Sequence, residues 1–118
     1  MNSKSFVLAK SFLNQKVEVT IDRPINFPHP KYGYKYPVNY GYIKEIIAPD
    51  GEELDAYILK VDKPLQKFTG KVVAIIHRID NDDDKLIVIP DGEIITDEEI
   101  EKSVEFQEKW FKHEIIRI

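Results

Sequence analysis

The chain contains no cysteine. That removes disulfides, thiolate nucleophiles and thiolate metal ligands together, and it points to a reducing, cytoplasmic setting. Long apolar runs are also missing, so nothing in the sequence is suited to spanning a bilayer. Near the start, Phe6, Val7, Leu8, Phe12 and Leu13 are apolar, but Lys10 and Ser11 interrupt them, and no secretory core results. Positive charge is scarce: 17 Lys and Arg face 21 Asp and Glu, for a net charge of −4. Broad nucleic-acid binding rests on neutralising phosphates with Lys and Arg, so the balance disfavours such a partner. Repeats, low-complexity tracts and interdomain linkers are absent from the sequence. At 118 residues the chain is expected to form one domain over residues 1–118, long enough for a real core and too short for two.

Several catalytic signatures are missing too. No serine sits in a glycine-flanked elbow, no Walker-type glycine loop occurs, and no histidine pair has zinc spacing. His77 falls mid-strand and reads as packed, and His113 reads as a partner for a helix dipole. His29, between two prolines, has no evident role.

What the chain does have is two acidic loops set between β-branched runs. The first is Pro49-Asp50-Gly51-Glu52-Glu53-Leu54-Asp55, between Tyr42–Ile47 and Leu54–Val61. The second is Asp80-Asn81-Asp82-Asp83-Asp84-Lys85, between Val72–Ile79 and Leu86–Ile89. The flanks read as strands. Asp55 sits inside such a pattern, facing opposite to Leu54 and Ala56, where an acid needs a reason. Two carboxylates about 5 Å apart repel by roughly 3 kcal/mol at an effective dielectric near 20. With no obvious neutralising partner in the sequence, a hard divalent cation is the natural one. The second loop is not an EF-hand: Lys85 stands where that loop needs glycine, and Asp91 where it needs a bidentate glutamate.

Lys16–Ile21 alternates with period two and reads as a half-buried strand ended by Asp22-Arg23-Pro24. Four prolines between Pro24 and Pro37 make a stiff, aromatic-rich loop. Lys63–Gly70 reads as a surface connection. Thr96-Asp97-Glu98-Glu99 is a capping box opening a helix, on which Ile100, Val104 and Phe111 share a face widened by Phe106 and Trp110. Strands first and a packed helix last predict a mainly β (α+β) fold, a small closed OB-like barrel with a C-terminal helix alongside.

Three blocks in this order, Tyr36-Pro37-Val38-Asn39-Tyr40-Gly41-Tyr42-Ile43, Asp50–Asp55 and Asp80–Pro90, resemble the family I soluble inorganic pyrophosphatases. The resemblance covers about half of the chain and implies Mg²⁺-dependent hydrolysis of pyrophosphate to two phosphates on an OB-like barrel. It implies Asp50, Asp55, Asp80 and Asp83 as metal ligands, and Glu52 as the group that holds and deprotonates the attacking water. Tyr40, Lys85, Tyr36 and, from the helix, Lys112 would contact phosphate. Lys31 would match a phosphate-binding lysine and Asp22 an acid near the first strand. Homo-oligomers are implied as well.

The chain departs from the family's pattern in places. It is shorter, and the trimmed hairpin before Tyr36 takes with it a glutamate (Gly33 stands there) and a phosphate-clamping arginine, for which Arg23 and Lys35 are the candidate replacements. Glu52 replaces a shorter acid, Glu53 a common proline, and Phe111 a tyrosine. Pyrophosphate hydrolysis is the leading expectation. The rivals are hydrolysis of another small diphosphate, such as a nucleoside or sugar diphosphate, and a non-catalytic OB-like module that binds a metal, an anion or a short single strand.

Overall fold

The computed structural model describes residues 4–49, 51–79 and 83–117. A short helix, α1 (Lys4–Lys10), precedes strand β1 (Lys16–Arg23), whose Val17, Val19 and Ile21 point inward as their alternation requires. Then follow β2 (Asn39–Ile47), β3 (Glu53–Ile58), β4 (Lys67–Arg78) and β5 (Lys85–Ile89), helix α2 (Asp97–Glu108) and strand β6 (His113–Ile116).

Neighbouring strands run β1-β2-β3-β5-β4, and β4 pairs back onto β1. This closes a five-stranded barrel and removes its open edges. All the barrel pairings are antiparallel except β3 with β5. The expected barrel with a C-terminal helix is therefore what forms. At Gly41 the backbones of β1 and β2 come so close that a Cβ would lie 2.0 Å from the Thr20 carbonyl oxygen.

Three sequence expectations change. β1 continues through Asp22 and Arg23 instead of ending there. The supposed surface connection over 63–70 enters β4 at Lys67, because Lys67–Lys71 must pair with β1 to close the barrel. The chain also gains α1 before the barrel, and β6 pairs with the outer end of β4 over Ile75–Arg78.

β5 is buried along its whole length, which explains its unbroken Leu-Ile-Val-Ile run. One face belongs to the barrel interior with Val19, Leu54, Ala56, Ile58 and Val72. The other packs with Tyr57, Ile76, Ile100 and Val104 beneath α2. The capping box forms as expected, with the Thr96 side chain accepting from the Glu99 amide and the Glu99 carboxylate accepting from the Thr96 amide. The helix face differs from its predicted extent. α2 stops at Glu108 so that the chain can turn into β6, which leaves Phe111 beyond the helix and Trp110 71% exposed. The buried residue next in line after Ile100 and Val104 is Glu108.

Candidate active site

Lys85 opens β5, and the parallel pairing sets it beside β3, where alternation turns Asp55 away from the barrel core. Its ammonium lies 2.7 Å from Asp55 Oδ2 and 3.0 Å from Asp83 Oδ1. The lysine side chain is buried, whereas both carboxylates remain about one-third exposed. Tyr40, from β2, stands 5.7 Å from the same ammonium, measured to the ring centre. Burial raises the Tyr40 phenol well above its ordinary pKa, and the charge and hydrogen bond of Asp55 push it further the same way. Tyr40 therefore stays a neutral donor at physiological pH.

A second cation stands at the end of β4. Arg78 gives its Nε and Nη2 protons to the two carboxylate oxygens of buried Glu108, at 2.9 and 2.8 Å. Its Nη1 reaches the other oxygen of Asp83 at 3.0 Å. The guanidinium also stacks 3.8 Å above the Phe111 ring. Burial opposes its charge, but the Glu108 hydrogen bonds and charge, aided by Asp83, more than offset this and raise its pKa. Behind the pair runs a polar chain: Arg23 donates to Tyr36, Tyr36 to Gln107, Gln107 to Tyr57, and Tyr57 to Glu108, over 2.6 to 3.2 Å. Such a connected set fixes Glu108, and through it Arg78, in one position.

Lys85, Arg78 and Tyr40 form part of the wall of a cavity of about 420 Å³ whose other lining is mostly aromatic. The acidic cluster is thus neutralised by the chain's own cations, contrary to the expectation that nothing faces it. Sequence reasoning passed over Arg78 and Glu108, yet both carried a signal. Each is a charge at a position where strand alternation or helical spacing demands an apolar residue.

The remaining predicted positions fall as follows. Asp50 and Asp80 lie outside the described residues. Glu52 is exposed between β2 and β3, with its carbonyl accepting from the Ala48 amide. Asp22 is exposed near the end of β1. Tyr36 is fully buried, its hydroxyl is bonded to Arg23 and Gln107, and it is not part of this cavity's wall. Lys112 is not on the helix. It is exposed, follows α2, and its carbonyl accepts from the Ile79 amide. Lys31 is exposed in the proline-rich loop, 5.4 Å from the Tyr32 ring centre, and is not part of the cavity wall. Of the candidate replacements for the clamp, Arg23 donates from Nη1 to Tyr36 and Lys35 is exposed in a bridge to Pro28, and neither is part of this cavity's wall. His77 is packed as expected, stacked 4.1 Å from Phe6 and 3.1 Å from Asp84. His113 lies in β6 against Glu101 and does not cap the helix.

The donors that meet here are carboxylate oxygens, the set a hard divalent cation takes. Among the described residues no three acidic or imidazole groups are arranged to hold an ion, and Asp55 and Asp83 share the Lys85 ammonium.

The family model for inorganic pyrophosphatase matches residues 12–115. The chain belongs to the inorganic pyrophosphatase family. Solved pyrophosphatases share its fold. That of Ehrlichia chaffeensis aligns with a TM-score of 0.69 at 16% identity, over 90% of this chain and 88% of that one. The Helicobacter pylori enzyme gives 0.67 at 19% identity, over 86% and 84%. The Thermus thermophilus enzyme gives 0.59 at 20% identity, over 86% and 80%. No curated protein sequence matches this one. This pyrophosphatase domain hydrolyses inorganic pyrophosphate to two phosphates, and the family uses a divalent metal as cofactor. No described helix is long and apolar enough to cross a membrane.

Proposed function

We propose that the acidic cluster beside Lys85 is the catalytic centre and that Mg²⁺ is the metal it uses on pyrophosphate. The observation that carries this reading is one buried ammonium held between Asp55 and Asp83 beside a neutral phenol. Asp55 and Asp83, together with Asp50 and Asp80 as the family resemblance implies, would hold the metal. Bound there, Mg²⁺ neutralises phosphate charge and lowers the pKa of water to make hydroxide available at neutral pH.

The chain's own groups supply the rest. The Lys85 ammonium, held between Asp55 and Asp83, would bind phosphate oxygens. Tyr40 donates its phenol proton to the same group. Glu52, exposed at the tip of the first acidic loop, accepts the proton of the attacking water. Arg78 supplies a clamp from the cavity wall. Lys85 and Tyr40 stabilise the charge that grows on the leaving phosphate.

Phosphate release from pyrophosphate tests this in wild type and Asp55→Ala, with Mg²⁺ and with chelator. Activity should need the metal and fall at least about a hundredfold in the variant, as removal of a group that stabilises the transition state does. Equal activity in the two proteins, or none in wild type, would overturn the reading.

A further inference from the structure

The cavity is built for more than phosphate. Its charged end is deep: Lys85 and Arg78 are 3% and 5% exposed. Its rim is aromatic and open, with Tyr32 64% and Trp110 71% exposed. His29 stacks on Tyr32 and lies tilted against Tyr34, at 5.0 and 4.8 Å between ring centres, and all three rings line the space. The ring faces give little to bare pyrophosphate, which only their polar edges can meet. They give a good deal to a flat heterocycle, which stacks on aromatic side chains without regard to its sequence identity. The volume, about 420 Å³, lies within the roughly 300–1,000 Å³ that hold drug-sized ligands.

Arg78 has capacity to spare at the deep end. A guanidinium has five N–H donors in a fixed fork, and Glu108 and Asp83 take three of them.

We infer that this site accepts a nucleoside diphosphate, with the base against Tyr32 and Trp110 and the diphosphate at Lys85 and Arg78. The inference rests on the reading of the Lys85 cluster as a diphosphate site, and it names a substrate class for it. In the reaction, the oxygen of water bonds to the terminal phosphorus while the bond from that phosphorus to the bridging oxygen breaks. The electron pair leaves with the nucleoside monophosphate, and one proton is released.

Trp110 is the sole tryptophan, so its fluorescence reports directly on the rim. ADP, in the presence of Mg²⁺, should quench it saturably. By calorimetry ADP should bind at least about tenfold more tightly than a diphosphate ester of an aliphatic alcohol, a margin that one base stack supplies. Tyr32 is exposed, and Tyr32→Ala should erase that preference. Equal affinity for the two esters, or an undiminished preference in the variant, would overturn the inference. Pyrophosphate hydrolysis measured alongside separates the two readings. Phosphate release from pyrophosphate with no ADP binding removes this inference alone. ADP binding that depends on Tyr32, without phosphate release from either pyrophosphate or ADP, removes the catalytic reading and the reaction written here, and leaves a nucleotide-binding site only.

Discussion

At the scale of single residues, Lys85 decides how the acidic loops behave. Its ammonium is the only charge shared by Asp55 and Asp83 among the described residues, so its loss both frees their repulsion and removes the proposed phosphate donor. Lys85→Met is expected to lower kcat/KM for pyrophosphate by about a hundred- to a thousandfold, measured by phosphate release. His113 supports a pH prediction of a different kind. Burial lowers its pKa, but hydrogen bonds to the Phe111 carbonyl and the Glu101 carboxylate outweigh this, and the net shift is upward. A raised folded value means the imidazolium stabilises the native state. That contribution is complete below the ordinary value of about 6.5 and is lost as pH rises through the folded one. The urea midpoint of wild type should therefore fall over that interval, and His113→Gln should flatten the fall. The sequence placed His113 at a helix end because Lys109–Phe111 do not announce where α2 stops.

Among the elements, α2 carries most of the architecture behind the site. It presents Gln107 to Tyr36 and Tyr57 and Glu108 to Arg78. Its start was legible, since a capping box is local and needs only residues 96–99. Thr96→Ala should lower unfolding stability by about 1 kcal/mol, read from urea denaturation, with α2 fraying first. Its end was not legible, because the chain leaves the helix to reach β4, a demand set by β6 pairing far along the sequence. The start of β4 misled for the same reason. Lys67–Gly70 look like a polar connection, and only barrel closure against β1 makes them strand.

In the whole molecule, the Arg78–Glu108 pair joins the helix layer to the barrel in a place that water barely reaches. Removing one member of such a pair strands the other. Arg78→Met should cost roughly 3–5 kcal/mol, while the double replacement Arg78→Met with Glu108→Leu should recover most of it. Urea denaturation of the three proteins checks the cycle. The double variant should still lose phosphate release, since the clamp proposed at the cavity is gone. Stability that returns together with full activity would mean that Arg78 holds only the helix.

Residues 16–21, 42–47, 54–58 and 86–89 determined the strands by themselves, because alternation and unbroken apolar runs are local consequences of a pleated, buried backbone. The three blocks that resemble pyrophosphatases were legible in the same way, and so was the acid at Asp55. Which cations meet those acids was settled only by the closed barrel. Residues 55, 78, 83, 85 and 108 come from three strands, a loop and a helix, and no spacing along the chain encodes that a parallel β3–β5 pairing will set Lys85 between two carboxylates. Charge neutralisation at the site is a property of the packed molecule, since it depends on distances of about 3 Å that only tertiary contacts fix.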